Sequence, residues 1–181
     1  GNPTELTFRR YRRFAAGGAG MLWFEATAVT PDGRANPRQL MLNSETLPSF
    51  RHLVSETIDA AGEAYGSRHR PFTVLQLTHS GRYSRPEGKA RPRIAFHDPY
   101  LDLETHVSHG QIPISDEELR QLEDCFVEAA VLAQEAGFDA IDIKHCHRYL
   151  PSELLAAHTR PGDYGGSLEN RTRFLLNVVD K

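Results

Sequence analysis

This chain has few cysteines, no long apolar run and only a small net charge. Its 181 residues include two cysteines, Cys125 and Cys146. Cys125 falls inside a predicted helix, so no disulfide framework is expected and a reducing cytoplasm is the expected location. No apolar run approaches the roughly 18 residues of a membrane span, and residues 1–13 have no signal-peptide pattern. The net charge of −3 and the pI near 6.3 argue against a dedicated nucleic-acid binder.

The chain does contain alternating helix and strand patterns. Three short apolar runs of strand length predict strands at Met21–Ala26, Phe72–Leu77 and Ala140–Ile143. Helical spacing of apolar residues predicts helices at 8–14, 48–65, 116–136, 152–157 and 168–179. The helix at 116–136 has the clearest start, because Ser115 and Glu118 form a capping box. This alternation predicts an α/β protein with parallel strands and helical crossovers.

Two architectures are open at this point. No G-x-G-x-x-G follows a predicted strand, which weakens a doubly wound dinucleotide fold. A (β/α)8 barrel needs eight strands over roughly 250 residues, so the chain is either a small three-stranded sheet or part of a barrel. A loop at about 80–113, rich in proline, glycine and charge, has a length typical of functional loops. Its basic run, Arg82–Arg93, is typical of a solvated loop, with phosphate binding as the alternative.

The densest chemistry follows the third strand. Six consecutive residues that can transfer protons, bind anions or hold metals run from Lys144 to Tyr149. In parallel α/β proteins, ligands bind at the carboxyl ends of the strands. The sequence therefore predicts a functional site at this strand end.

Four blocks resemble the old yellow enzyme family of FMN-dependent ene-reductases. They are GGAGMLWFEATAVTPDGR (17–34), QLTHSGRYS (76–84), GFDAIDI with the following YL (137–150) and DYGGSLENRTRF (163–174). Together with LLAAHT (154–159), the second block leans towards the 2,4-dienoyl-CoA reductase branch. The resemblance implies that residues 1–181 are one incomplete FMN-binding domain, covering about strands two to four of a (β/α)8 barrel, with 80–113 as an active-site loop.

The resemblance also implies roles for individual residues. Ala26 aligns with the position whose backbone touches the flavin, and Gln76 with the amide that hydrogen-bonds the flavin pyrimidine edge. Tyr149 aligns with the tyrosine that protonates the alkene carbon, and His147 with a histidine that grips the substrate carbonyl oxygen. Lys144 stands where the family often has histidine, and its ammonium is expected to stabilise an enolate oxygen with different geometry. No metal site is expected, because a metal ion needs a specific arrangement of ligands.

Cofactors and partners follow from the same resemblance. It implies FMN as cofactor and NAD(P)H as reductant. The implied substrate is an α,β-unsaturated carbonyl compound or an enoyl or dienoyl thioester. FAD and an iron–sulfur cluster are possible further cofactors of the parent protein, in regions beyond residue 181. The expected partner is this small-molecule substrate, and neither a nucleic acid nor a membrane is expected. A homo-oligomer is a further possibility. His145 and Arg148 replace positions that are usually small in the family, so either a narrowed pocket or a changed substrate is expected. We also expect the isolated 181 residues to bind FMN weakly or not at all.

Two alternatives remain from the residues themselves. His145 and His147 suit a metal-dependent barrel lyase or hydrolase, if the strand continues far enough to put both on one face and His158 or Glu25 supplies a third ligand. The other alternative is a non-catalytic half-barrel module that assembles with itself or with a partner, since an isolated arc of three strands exposes two sheet edges.

Overall fold

A computed structural model describes all residues, 1–181. The strands are β1 (Met21–Ala28), β2 (Phe72–Thr78) and β3 (Ala140–Ile143). The helices are α1 (Glu5–Ala16), α2 (Leu47–Tyr65), α3 (Pro99–Thr105), α4 (Asp116–Ala136), α5 (Leu150–Leu155) and α6 (Leu168–Asp180), and a 3-10 turn covers Gly81–Tyr83. None of these helices is long and apolar enough to cross a membrane.

The three strands form one parallel sheet in the order β1-β2-β3. One face of this sheet carries the core: Phe24 of β1 and Leu75 of β2 are buried against Phe50 of α2 and Phe126 of α4. Alternate strand residues point to opposite faces, so the apolar side chains at these positions all meet the helical layer. The sheet and helices thus form two packed layers, as expected for βαβ units.

The opposite face of the sheet carries no helix. Met21 and Trp23 of β1 alternate with the buried residues and are 55% and 54% exposed. A doubly wound sheet has helices on both faces, whereas barrel strands have helices only outside. The arrangement is therefore that of an arc of a (β/α)8 barrel, with the open face corresponding to the barrel interior.

Several element boundaries differ from the sequence-based predictions. β1 continues to Ala28, because the register shifts between Phe24 and Thr27 and Ala28 then bridges to Met41. Within the loop at 80–113, α3 was not predicted; the Asp98 carboxylate caps it by accepting from the N–H groups of Tyr100 and Leu101. α5 begins at Leu150 rather than 152, with proline in its first turn, a position that needs no N–H donor.

Candidate functional site

The chain leaves β3 in a tight turn that presents the predicted site residues. The Lys144 N–H still donates to Leu77 O of β2 at 3.0 Å, after which the ladder ends. His147 and Arg148 then adopt left-handed backbone conformations with φ of 60° and 56°. Such conformations favour glycine, and they cost any other residue about 1 kcal/mol or more. Arg148 therefore has a backbone conformation that would suit a small residue such as glycine better.

The turn brings Lys144, His147 and Tyr149 together. The Lys144 ammonium lies 4.6 Å from the centre of the Tyr149 ring, a distance typical of cation–π attraction. The rings of His147 and Tyr149 are 6.3 Å apart and nearly perpendicular. Both line a cleft of about 330 Å³ together with Ala35, Tyr83 and Arg85. The cleft is therefore built from the loops that follow all three strands.

His145 is not part of this cluster. Its Nδ1 lies 3.0 Å from Ile143 O, and its ring faces Phe174 of α6 at 6.4 Å. Burial lowers the pKa of the His145 imidazole. Because β3 ends at Ile143, His145 and His147 do not share a strand face, and no group of three histidine, cysteine or acidic side chains is placed to hold a metal ion. The metal-dependent alternative thus lacks its geometric basis.

Ala26 and Gln76 lie side by side on neighbouring strands. Phe24 pairs with Leu75 and Thr27 with Leu77, so the register shift in β1 sets two residues, Glu25 and Ala26, against Gln76. The Gln76 amide lies on the open face, where its Nε2 donates to Asp142 Oδ2 of β3 at 2.5 Å. The Trp23 indole N–H donates to the same carboxylate oxygen at 3.3 Å. A polar network therefore crosses the inner surface of all three strands.

Gln39 connects the Ala26 backbone to the wall of the cleft. Its Nε2 donates to Ala26 O at 2.9 Å, and its Oε1 accepts from the Ala35 N–H at 2.5 Å. Since Ala35 lines the cleft, the same side chain holds both the strand end and the loop. The structure thus places Ala26 and Gln76 on the sheet. His147 and Tyr149 line the cleft at the next strand end, and Lys144 lies against the Tyr149 ring.

A buried ion pair fixes the backbone behind the cleft. The Arg82 side chain is fully buried, and its guanidinium binds Glu153 of α5 and, at 2.8 Å, Asp102 of α3. The backbone approaches closely here as well: a Cβ on Gly81 would lie 2.7 Å from the Leu150 nitrogen, directly after Tyr149. The loop after β2 is therefore locked against the start of α5.

Burial has the largest effect on the pKa values of the two carboxyl groups that bind Arg82. It raises the pKa of the Glu153 carboxyl to about 7, although Arg82 opposes the shift. Burial also acts to raise the pKa of Asp102, but hydrogen bonds from Arg82 and His97 outweigh it and lower that pKa. His97 binds Asp102 Oδ2 at 2.6 Å, and this contact raises the pKa of the imidazole. The network joins the loop at 80–113 to the helix that follows Tyr149.

A larger cavity, of about 680 Å³, lies between the loop residues Ala95–His97 and the segment Thr159–Gly162. None of the predicted site residues lines it. Its most buried charge, Arg160, is paired with Asp116 at 2.6 Å and donates to Ala95 O at 2.7 Å. We therefore assign the chemistry to the smaller cleft at the strand ends.

Sequence reasoning missed three residues of the site region: Gln39, Asp142 and Glu153. Asp142 carried a usable signal, because a carboxylate inside a short apolar strand must face a polar partner. Gln39 and Glu153 carried none, since their roles depend on contacts between loops far apart in sequence. Arg85 lies in the basic run Arg82–Arg93, but the sequence did not indicate that it lines the cleft.

The fold and cleft define a partial (β/α)8 barrel with a polar site at its strand ends. Residues 1–181 match the family described as NADH:flavin oxidoreductase / NADH oxidase. The chain belongs to this family of oxidoreductases, and the resemblance to old yellow enzymes is confirmed.

Individual relatives agree with this assignment. The chain is 36% identical over 178 residues to an NADPH dehydrogenase of Bacillus pumilus (strain SAFR-032), covering 96% of the chain and 48% of that protein. An NADPH dehydrogenase of Clostridium acetobutylicum is 34% identical over 186 residues, with 99% and 50% covered. The chain thus spans about half the length of the curated relatives it matches.

Solved structures show the same fold. The old yellow enzyme from Pichia sp. AKU4542 superposes with a TM-score of 0.78 at 23% identity, covering 99% of this chain and 47% of that one. Morphinone reductase, solved in complex with tetrahydro-NAD, gives a TM-score of 0.78 at 25% identity, with 99% and 51% covered. The expected partial barrel is therefore confirmed.

Proposed function

We propose that the protein containing this chain is an FMN-dependent ene-reductase that uses NAD(P)H to reduce the C=C bond of an α,β-unsaturated carbonyl compound or thioester. The observation that carries the proposal is the convergence of Tyr149 and His147 in one cleft, with the Lys144 ammonium 4.6 Å from the Tyr149 ring. This set contains a proton donor and two groups that can stabilise a developing oxyanion.

Tyr149 acts as the proton donor in this proposal. Its phenol is half-buried and lines the cleft, where a substrate carbon can come within hydrogen-bond reach. Its backbone carbonyl accepts from the Glu153 N–H at 2.8 Å, so the start of α5 fixes its position. A fixed phenol delivers its proton to the carbon next to the carbonyl, on the face that the cleft exposes.

His147 and Lys144 hold the carbonyl oxygen. As hydride adds to the distant alkene carbon, negative charge develops on this oxygen, and a nearby donor or cation lowers the barrier. Lys144 is suited to this task because its stem is buried and its ammonium has no ion-pair partner within the chain. It supplies a point charge where an imidazole would supply a directed N–H.

Ala26 and Gln76 are suited to hold the flavin. Ala26 presents backbone with a side chain of one carbon, so a flat ring can approach, and Gln76 offers an amide donor and acceptor on the open face. When bound, the flavin would accept electrons from NAD(P)H and supply hydride to the alkene. FMN rather than another flavin is part of the proposal.

The test uses the full-length protein. Its purified form should absorb near about 370 and about 450 nm, as an oxidised flavin does, and chromatography of the released cofactor should give FMN. NAD(P)H should bleach the band, and cyclohex-2-enone should restore it under anaerobic conditions. A Gln76→Leu variant should retain less flavin, whereas Gln121→Leu, on the exposed surface of α4, should retain the wild-type amount.

Two outcomes would reject the proposal. Purified protein that neither contains nor binds flavin would favour the half-barrel module. A flavoprotein that NAD(P)H reduces, but that unsaturated carbonyl compounds never reoxidise, would belong to the family without being an ene-reductase.

A further inference from the structure

Arg85 is a charged group in the cleft that the proposed reaction does not use. Its side chain is exposed, lines the cleft beside His147 and Tyr149, and has no hydrogen-bond or ion-pair partner within the chain. By contrast, the neighbouring Arg82 is fully buried between two carboxylates. A guanidinium left free at the wall of a cleft is available to a ligand.

The backbone around Arg85 is held firmly although its side chain is free. The Arg85 N–H donates to Arg34 O at 2.8 Å, and the Arg91 N–H donates to Ser84 O at 2.9 Å. The Arg34 guanidinium reaches Pro86 O at 3.5 Å, and Pro86 is buried. The Arg85 side chain therefore starts from a fixed point, which lowers the entropic cost of binding a ligand.

The surroundings of the cleft are cationic. No carboxylate is among its five lining residues. Lys144 lies beside Tyr149, and the exposed Arg148 meets its carboxylate partner, Glu104, only at 3.5 Å. Glu87, the acidic residue closest to Arg85 in sequence, lies 3.9 Å from Arg91. In a chain of net charge −3, this local excess of positive charge favours anions.

We propose that Arg85 binds an anionic group of the substrate, a carboxylate or a phosphate, while Tyr149 and His147 act on its unsaturated carbonyl group. This inference rests on the proposed function, because it concerns the substrate of the same cleft. The planar guanidinium pairs with two oxygens of either anion, so both share the chemistry that Arg85 recognises. Arg85 is in this view a residue that determines specificity, not a catalytic one.

Binding and turnover in the full-length protein test the inference separately. Binding is measured with 4-oxopentanoate and its methyl ester, which have no alkene to reduce. Turnover is measured with 4-oxopent-2-enoate and its methyl ester. Crotonyl thioesters of phosphopantetheine and of pantetheine form a second pair, which distinguishes a phosphate from a carboxylate as the preferred anion.

Arg85→Ala should weaken binding of 4-oxopentanoate, and raise KM for the preferred anionic substrate, by about tenfold, the effect of one charge-assisted contact. Binding and KM of the neutral partners should change less than about twofold, because they offer no anion to the guanidinium. Arg85→Lys should regain part of the lost affinity, because lysine keeps the positive charge but lacks the paired N–H donors of the guanidinium. Lys89→Ala, an exposed cation of the same loop outside the cleft, serves as the matched control.

The outcomes separate the two proposals. Anion-selective binding that depends on Arg85, without any turnover, would support the anion site and reject the ene-reductase. Turnover with equal losses for charged and neutral substrates, or with no loss in Arg85→Ala, would overturn the anion site and leave the ene-reductase standing. Failure of every ligand to bind would overturn the anion site as well.

Discussion

Among single residues, Lys144 is the clearest departure from the pattern that the resemblance implies, in which histidine often stands at this position. Lys144 is only 7% exposed, yet its ammonium has no carboxylate partner and lies against the Tyr149 ring. The stem is therefore packed while the charged end stays available to a ligand. Attraction to the ring holds the ammonium in place, and an oxyanion beside it would be stabilised by its charge.

Replacing Lys144 therefore tests the oxyanion role. Lys144→Met keeps most of the stem and removes the charge, so we expect alkene reduction by full-length protein to slow by about 10²- to 10³-fold, the scale of one lost oxyanion contact. Lys144→His should retain more activity, since an imidazole suits the same task. Flavin content should stay at the wild-type level. Lys89→Met, outside the cleft, is the control, and an equal loss there would contradict the role.

The adjacency of Lys144, His147 and Tyr149 could be predicted from sequence because these residues lie within one short segment. The neighbours of that cluster could not. Arg85 reaches the cleft only because two loops, after β1 and after β2, bind each other through backbone contacts. Nothing in the local pattern of either loop specifies that contact. The roles assigned to Ala26, Gln76, His147, Lys144 and Tyr149 stay predictions.

At the scale of elements, local signals predicted α4 well and α3 not at all. Ser115 and Glu118 cap α4 reciprocally: the Ser115 N–H donates to Glu118 Oε2 at 2.8 Å, and the Glu118 N–H donates to Ser115 Oγ at 3.2 Å. α3 has a comparable start, with Asp98 as cap and proline next. Its seven residues are too few to show helical periodicity, so the sequence analysis treated this segment as part of the loop at 80–113.

Glu118 should make stability dependent on pH in the acid range. The hydrogen bond from the Ser115 N–H, followed by that from Arg93, lowers the pKa of Glu118 from 4.5 to about 2. The stabilisation is therefore present above pH 4.5 and is lost as the pH falls towards 2. The free energy of unfolding of Glu118→Gln should fall less steeply with acidification than that of the wild type. Glu117→Gln, in the same helical turn, should follow the wild type; identical slopes for all three would contradict the assignment.

Arg82 joins three elements, namely the turn after β2, α3 and α5. Arg82→Ala leaves the buried Glu153 carboxyl without its cation and leaves Asp102 paired with His97 alone. We therefore expect the free energy of unfolding to fall by about 3–5 kcal/mol, as when a buried pair is broken. Arg91→Ala, with a side chain 68% exposed, should change it by no more than about 0.5 kcal/mol. Chemical denaturation of both variants measures this, and equal small effects would show that the loop is held by other contacts.

Over the whole molecule, the sheet has one packed face and one open face. The helical layer could be predicted, because each crossover helix carries a periodic apolar face. The open face could not be predicted from the strand sequences, because the alternation of apolar and polar residues along each strand is short and irregular. Trp23, Gln76 and Asp142 form a polar network on that face, which in a closed barrel would lie inside. The isolated 181 residues should accordingly bind FMN weakly or not at all, and a chain of this length purified with stoichiometric FMN would contradict that.

The most direct test of the proposed reaction is the role of Tyr149 in a single turnover. Full-length protein is reduced with NADPH under anaerobic conditions, and flavin reoxidation by an enone is followed by stopped flow in D2O. Tyr149→Phe should be reduced by NADPH at the wild-type rate but reoxidise about 10²- to 10⁴-fold more slowly, the usual contribution of a positioned proton donor. Tyr100→Phe, 85% exposed on α3, should behave as wild type in both steps.

In the wild type, one solvent deuterium should appear at the carbon next to the carbonyl, on a single face. Unchanged reoxidation in Tyr149→Phe, with deuterium still on that face, would contradict Tyr149 as the proton donor and, with it, the proposed use of the cleft.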